Sequence, residues 1–137
     1  MELVDTNVLL YAVSADPDNQ EKSRVATEIL LTMAFGLSAQ VLQEFYWQAT
    51  RSTRPDRLSP EQALSFIRPL LTLPIQDVTP GLVLSAIATS ARYQISYWDA
   101  AIIEAAKEMG CSTVLTEDLS DRQDYGGVRV ENPFRGL

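Results

Sequence analysis

The stretch Glu2-Leu3-Val4-Asp5-Thr6-Asn7-Val8-Leu9 begins the chain with a short apolar strand that runs directly into a helix. Asp5 stands at the junction, where the strand ends. The stretch Ser112-Thr113-Val114-Leu115-Thr116-Glu117-Asp118 repeats this arrangement, because a β-branched strand is again followed by an acid, Asp118. Short strands alternating with longer helices indicate a parallel sheet covered by helices on both faces. Ligands of such sheets bind outside the carboxyl ends of the strands, where both acids fall.

The rest of the chain follows the same alternation of strands and helices. Caps and apolar spacing predict six helices, over residues 6–13, 16–33, 38–49, 59–71, 79–91 and 96–109. Four strands are predicted, over residues 2–5, 74–78, 112–116 and 126–130. With 137 residues and 46% hydrophobic content, the chain is long enough for one core, so residues 1–137 are expected to form a single domain.

The use of cysteine and histidine limits the kinds of site and compartment. Cys111 is the single cysteine and the chain has no histidine, so an internal disulfide and a structural zinc site are both excluded. The residues after Met1 do not resemble a secretion signal, and no apolar run approaches the roughly 18 residues that span a bilayer. We therefore expect a cytoplasmic protein that makes no membrane contact.

The formal net charge of −7 argues against a nucleic-acid partner, since phosphates are normally met by surplus cations. The objection weakens if several acids converge on a divalent cation, because the metal neutralises them and itself attracts phosphate. Arg51, Arg54 and Arg57 recur every third residue. This row is either a phosphate contact or a solvated helix end, and the composition does not decide between them.

Two more acids join Asp5 and Asp118 as candidates. Asp99 lies on the same helical line as Ile102 and Ile103, the face expected to pack on the sheet, and Glu44 lies beside the apolar stripe of its helix. Each candidate also has a simpler interpretation. Asp99 fits a capping box with Ser96, Asp5 fits an N-cap, Asp118 fits a turn and Glu44 fits a half-exposed helix acid.

Taken together, the four acids favour a metal site over four unrelated structural roles. Unpaired carboxylates near apolar surface imply a shared cation or proton, and carboxylate oxygens are the ligands that Mg²⁺ or Mn²⁺ prefers. Without imidazole, an enzyme of this kind must make its nucleophile by lowering the pKa of a metal-bound water. Attack of that water on a phosphodiester suits such a site, and the chain has no Gly-rich phosphate loop or Ser–His pair that would indicate another route.

Four segments, in their order and spacing, resemble the PIN-domain family and in particular its bacterial VapC-type toxins. They are Leu3-Val4-Asp5-Thr6-Asn7-Val8-Leu9, Gln43-Glu44-Phe45, Tyr97-Trp98-Asp99-Ala100-Ala101-Ile102-Ile103-Glu104-Ala105-Ala106 and Leu115-Thr116-Glu117-Asp118-Leu119. The resemblance covers essentially the whole chain. It implies an α/β fold, a three-layer α/β/α sandwich around a central, mainly parallel sheet of four to five short strands.

The resemblance also implies a function. It implies an endoribonuclease that needs Mg²⁺ or Mn²⁺, acts on RNA, forms a homodimer and is silenced by a small antitoxin protein. Asp5 and Asp99 correspond to the principal metal ligands, while Glu44 and Asp118 complete the acidic pocket. Asn7 and Thr116 would support that pocket by hydrogen bonding. The chain departs from the pattern at Ser120-Asp121-Arg122, where relatives often carry a glycine-containing turn, so roles for Asp121 and Glu117 stay open.

Two other functions remain compatible with an aspartate at the end of the first strand. A Mg²⁺-dependent phosphatase or phosphoacceptor domain also has one, but Asp5-Thr6-Asn7 lacks a second aspartate two residues on. A noncatalytic module with the same fold would bind a protein partner through its acidic groove. Phosphate transfer to Asp5 would indicate the first alternative, and failure to bind Mn²⁺ would indicate the second.

Overall fold

Five short parallel strands form the centre of the computed structural model, which describes all 137 residues. The strands are β1 (Glu2–Val4), β2 (Phe35–Ser38), β3 (Ile75–Gln76), β4 (Thr113–Leu115) and β5 (Arg129–Glu131). Their order across the sheet is β3-β2-β1-β4-β5, and each neighbouring pair is parallel. The predicted α/β class is therefore confirmed, and the five strands fall within the four to five that the family resemblance implies. Every strand ends on the same edge of the sheet.

Six α-helices connect and cover these strands, as the sequence predicted. They are α1 (Thr6–Ala12), α2 (Gln20–Thr32), α3 (Ala39–Thr50), α4 (Pro60–Leu70), α5 (Pro80–Tyr93) and α6 (Tyr97–Glu108). The helices α3 to α6 begin at capping residues, since Ser38, Ser59, Thr79 and Ser96 each accept a hydrogen bond from a backbone N–H of the first turn. Asp16 instead caps a short 3₁₀ turn, Pro17–Asn19, so α2 begins later than predicted.

The strand β2 is missing from the sequence-based prediction, in which residues 33–38 only connect two helices. All four residues of β2 are buried, and they pair with β1 on one side and β3 on the other. Gly36 permits this because a Cβ there would lie 2.5 Å from the Met109 Cε atom and 3.2 Å from the Pro74 carbonyl oxygen. A four-residue strand that contains glycine and lies directly between two helices carries little local signal.

One hydrophobic cluster of 27 buried residues surrounds the sheet. Val41, Phe45 and Ala49 bury the predicted stripe of α3, and residues 100–106 of α6 are buried together. None of the six helices combines the length and the apolar character needed to cross a bilayer. The packing of α3 and α6 brings the predicted acids on both helices towards the edge where β1 and β4 end.

Candidate metal centre

Asp5 is held at the carboxyl edge of the sheet by two neighbouring strands. Val4 of β1 is in register with Leu115 of β4, and the Asp5 backbone N–H donates to the Leu115 carbonyl at 3.1 Å. Its Oδ1 atom accepts from the Thr6 backbone N–H at 2.7 Å, so Asp5 does cap α1. Its Oδ2 atom accepts from the Thr116 hydroxyl at 2.8 Å. Asp5 is therefore both a cap and a buried carboxylate, with 5% of its surface exposed.

The Thr116 hydroxyl connects Asp5 to Asp118. It accepts from the Asn7 side-chain Nδ2 at 2.8 Å and from the Asp118 backbone N–H at 3.1 Å. Asn7 Nδ2 also donates to the Asp118 Oδ2 atom at 3.2 Å. The hydrogen bonds expected of Asn7 and Thr116 are thus present, and they position the exposed Asp118 carboxylate beside the buried one.

Glu44 reaches the same edge from α3, and two residues absent from the sequence-based assignment orient it. The Thr6 hydroxyl donates to Glu44 Oε2 at 2.9 Å, and Gln40 Nε2 donates to Glu44 Oε1 at 3.0 Å. Gln40 Nε2 also donates to the Trp98 carbonyl at 3.2 Å, which ties α3 to the start of α6. Gln40 lies four residues before Glu44 on the same helix, and this spacing makes the contact between the two side chains predictable from the sequence.

Asp99 occupies the first turn of α6, where the capping box is only half formed. The Ser96 hydroxyl accepts from the Asp99 backbone N–H at 3.1 Å. At Ser59 and Gln62 both bonds of a capping box are present, whereas no bond joins the Ser96 N–H to the Asp99 carboxylate. Burial raises the pKa of Asp99, the Ser96 hydroxyl lowers it, and the negative charges of Asp118 and Glu44 raise it. Capping alone therefore does not account for this acid.

The four acids are coupled by charge, and none of them pairs with a cation. Burial raises the pKa of Asp5 to about 7; hydrogen bonds from Thr116 and Thr6 lower it, and the charges of Asp118 and Glu44 raise it. None of the ion pairs in the structure includes any of the four acids. Hydrogen bonds join Asp5, Glu44 and Asp118 through Thr6, Thr116 and Asn7, while Asp99 is connected to the group by charge alone.

A PIN-domain family model matches residues 3–121, which include all four acids. The chain belongs to the PIN-domain family. This confirms the resemblance seen in the sequence. No curated protein sequence matches the chain.

Solved structures of VapC toxins and their complexes share the fold of this PIN domain. A toxin–antitoxin complex from Klebsiella pneumoniae is 20% identical with a TM-score of 0.70, and the match covers 98% of both chains. VapC20 of Mycobacterium tuberculosis, described as a toxin that cleaves the sarcin–ricin loop, is 17% identical with a TM-score of 0.68 over 86% of this chain and 90% of its own. VapBC2 of Rickettsia felis, bound to promoter DNA, is 19% identical with a TM-score of 0.65 over 96% and 97% of the two chains.

Two other acids of the PIN domain are held by different parts of the molecule. Glu117 pairs with Lys22 at 3.0 Å and accepts from the Tyr11 hydroxyl at 2.5 Å. Asp121 accepts from the Asn132 backbone N–H at 2.8 Å and from Arg135 at 3.1 Å. Both carboxylates have cationic partners, which distinguishes them from the four acids above.

The arginine row does not form one surface. The helix α3 ends at Thr50, so the row lies in the following loop and not on the predicted helix end. Arg51 stacks over the Trp47 ring at 5.3 Å, Arg54 pairs with Asp56 at 3.0 Å, and Arg57 is exposed. A spacing of three residues is therefore no guide to a shared face outside a helix.

The residues at the sheet edge fit a hard divalent cation. Each oxygen of Asp5 accepts one hydrogen bond and keeps a lone pair, and the carboxylate has no countercharge. No group of three acidic side chains is already arranged as a ligand shell. A Mg²⁺ ion at this edge would be held by one or two carboxylates and by several waters.

Proposed function

We propose that this PIN domain is an endoribonuclease that depends on Mg²⁺ or Mn²⁺ and acts as the toxin of a toxin–antitoxin pair. One observation carries the proposal: a buried carboxylate, Asp5, lies among three further acids at the carboxyl edge of the sheet, and none has a cationic partner. Leaving such charges uncompensated costs several kcal/mol, about the scale for desolvating an ion in a protein. The family is one of nucleases, which supports hydrolysis of phosphodiester bonds.

Asp5 and Asp99 are the residues we assign as metal ligands, and Glu44 and Asp118 complete the acidic pocket. A bound divalent cation lowers the pKa of water and neutralises charge on a phosphodiester. Glu44 is held at both carboxylate oxygens, by the Thr6 hydroxyl and the Gln40 amide, so its orientation is fixed before substrate arrives. The exposed Asp118, held at Oδ2 by Asn7, is accessible to water and substrate.

Two apolar surfaces support the proposed partners. The groove between α2 and α4 is lined by Leu30, Leu31, Phe66 and Leu70, and an antitoxin segment is the partner we assign to it. The toxin–antitoxin complex among the structural relatives supports an antitoxin as the partner. On α5, Leu84 and Ile87 are 69% and 54% exposed on one helical face, which supports the homodimer.

The alternative of a phosphoacceptor domain is disfavoured by the sequence after Asp5. The position two residues on is Asn7 instead of a second aspartate, and the Asn7 side chain donates to the Thr116 hydroxyl and to Asp118. Formation of a phosphorylated Asp5 from a small phosphate donor would contradict the nuclease proposal.

The test is cleavage of total bacterial RNA by the purified full chain, with Mg²⁺ or with excess EDTA. We expect cleavage only with the metal. Asp99→Asn should lower the rate of cleavage roughly 10²- to 10³-fold, the scale for removing one electrostatic stabiliser. Its melting temperature should stay close to that of the parent, because the Ser96 hydroxyl accepts from the backbone N–H of residue 99, which the substitution keeps. Asp77→Asn, an exposed acid whose carboxylate makes no hydrogen bond, is the matched control. Cleavage by Asp99→Asn at the parent rate would show the site assignment to be wrong.

A further inference from the structure

A polar cavity lies beside the edge strand β5, outside the acidic centre. Its volume is about 360 Å³, and none of its lining residues is hydrophobic. The lining residues are Asp121, Arg122, Arg129, Glu131, Asn132 and Arg135. Three guanidinium groups and two carboxylates therefore face one cavity, which we call the arginine cavity.

The wall of the arginine cavity is built by specific bonds. Arg122 has a φ of 69°, in the left-handed region that costs a non-glycine residue roughly 1–2 kcal/mol. Its backbone N–H donates to the Val130 carbonyl at 2.8 Å, which holds the loop against β5. Asp121 accepts from the Asn132 N–H at 2.8 Å and from Arg135 at 3.1 Å, which closes the opposite side. A strained residue kept in place by several bonds is a frequent mark of a functional site.

The charges of the arginine cavity are only partly compensated. Arg135 pairs with Asp121, but neither Arg122 nor Arg129 takes part in any ion pair of the structure. Both side chains are exposed and available to an anion. The cavity has three arginines and two carboxylates, so its formal charge is +1 in a chain with a net charge of −7. Planar guanidinium groups of this kind bind phosphate oxygens in pairs of hydrogen bonds.

The arginine cavity reaches the carboxyl edge of the sheet through Glu131 and Asn132, while Arg129 lies at the start of β5, two residues before that edge. Glu131, which lines the cavity, is in register with Leu115, and the Thr116 N–H donates to the Glu131 carbonyl at 3.0 Å. Thr116 is also the residue whose hydroxyl holds Asp5. Two strand spacings, roughly 10 Å, separate β1 from β5. A strand of nucleic acid crossing this edge can therefore place one phosphate at the acids and another, one or two nucleotides away, at the cavity.

We propose that Arg122 and Arg129 form a phosphate-binding subsite that holds the RNA backbone beside the acidic centre. This inference rests on the proposed nuclease function and adds how an acidic protein holds a polyanion. The contacts are to phosphate, so they position RNA of any sequence and contribute a salt-dependent part of the affinity.

The test measures how the affinity for a mixed-sequence, single-stranded oligoribonucleotide depends on salt, by fluorescence anisotropy in Mg²⁺. The full chain carries Asp99→Asn in every sample so that the probe stays intact. Replacing both arginines, Arg122→Gln with Arg129→Gln, should reduce the slope of log K against log salt by about 1.4, since each lost phosphate contact on a single strand removes about 0.7. Arg68→Gln, an exposed and unpaired arginine on α4, should leave the slope unchanged. Arg122→Lys with Arg129→Lys keeps both charges and should preserve the slope.

The outcomes separate this inference from the nuclease proposal. If the double Gln variant binds RNA with an unchanged slope, and the chain without Asp99→Asn cleaves RNA, the subsite is overturned and the nuclease proposal stands. A slope reduction of about 0.7 in Arg68→Gln, half that of the double variant, would also overturn the subsite, because the effect would then follow net charge alone. A chain that neither binds nor cleaves RNA overturns both. Thermal unfolding of each variant checks that the exposed substitutions leave the fold intact.

Discussion

Two buried carboxylates on this chain have opposite surroundings. Glu104, in the seam between α5 and α6, is 8% exposed, accepts a hydrogen bond from the Thr89 hydroxyl and lies 3.4 Å from the Lys107 ammonium. Asp5, at the sheet edge, is 5% exposed and accepts a hydrogen bond from the Thr116 hydroxyl, but it has acids nearby instead of a cation. Both have a threonine partner, so the difference between them lies in the charge nearby.

The contrast shows how to separate a structural acid from a functional one. Glu104 is compensated within the protein, and its role is complete when the chain is folded. Asp5 is left without compensation, and the burial that raises its pKa opposes ionisation until a cation arrives. The same helix, α6, carries Glu104 in its middle and Asp99 at its start, so the two settings are separated by little more than one turn.

The largest expected difference is in metal binding and cleavage. Asp5→Asn should lower RNA cleavage on the order of 10³-fold and abolish Mn²⁺ binding measured by calorimetry, because it removes a charged ligand. Glu104→Gln, the matched change in the seam, should bind Mn²⁺ like the parent. A parent that binds no Mn²⁺ at millimolar concentration would instead favour the noncatalytic module, and equal losses in both variants would remove the contrast.

The next difference is in the pH dependence of stability without metal. The folded-state pKa of Asp5, about 7, lies above its ordinary value of 3.8, so its stabilising contribution is complete below about pH 4 and is lost as the pH rises towards 7. The loss has an upper limit of about 4 kcal/mol, at up to about 1.4 kcal/mol for each pH unit. Denaturant unfolding in EDTA should therefore show Asp5→Asn gaining stability relative to the parent between about pH 4 and pH 7. Parallel curves for parent and variant would contradict the buried, unpaired state of Asp5.

Removing the threonine hydroxyl beside Asp5 or the one beside Glu104 compares the surroundings of the two acids without changing a charge. Thr116→Val should weaken Mn²⁺ binding and cleavage roughly 10- to 100-fold, the usual cost of losing a group that orients a ligand, because that hydroxyl contacts Asp5, Asn7 and Asp118. Thr89→Val is the control, since its hydroxyl contacts only Glu104. Calorimetry and initial rates on both variants measure the difference. A Thr116→Val protein with parental affinity for metal would show that Thr116 serves the fold alone.

The smallest effect should be on the folding stability of the seam. Glu104→Gln keeps an acceptor for Thr89 but loses the charge beside Lys107, which should cost up to about 1 kcal/mol, the scale for a partly exposed ion pair. Denaturant midpoints at neutral pH measure this cost, and cleavage by the folded variant should match that of the parent. A loss of cleavage without a loss of stability would mean that Glu104 also acts on the site.

Much of the fold was accessible to local sequence patterns. Ser59 with Gln62 forms the capping box that begins α4, and Gly110, with a φ of 72°, follows the end of α6. The strand β2 was not accessible, because four buried residues between two helices have no alternation or turn signal of their own. Ile87 is an apolar residue of α5 that is nevertheless exposed, because α5 packs through the face that carries Thr89, whose hydroxyl bonds to Glu104.

The sequence by itself determined the six helices, four of the five strands and the acids beside them, since caps and hydrophobic periodicity act between residues a few positions apart. Only the tertiary structure decided which acids have partners. Thr6 reaches Glu44, Lys22 reaches Glu117 and Arg135 reaches Asp121 across long intervals of chain, and the same packing leaves Asp5 without a cation. The physical reason is that the interaction between two charges depends on the distance between them in space. The packing of α3 and α6 around the sheet sets that distance, and the spacing of the residues along the chain does not.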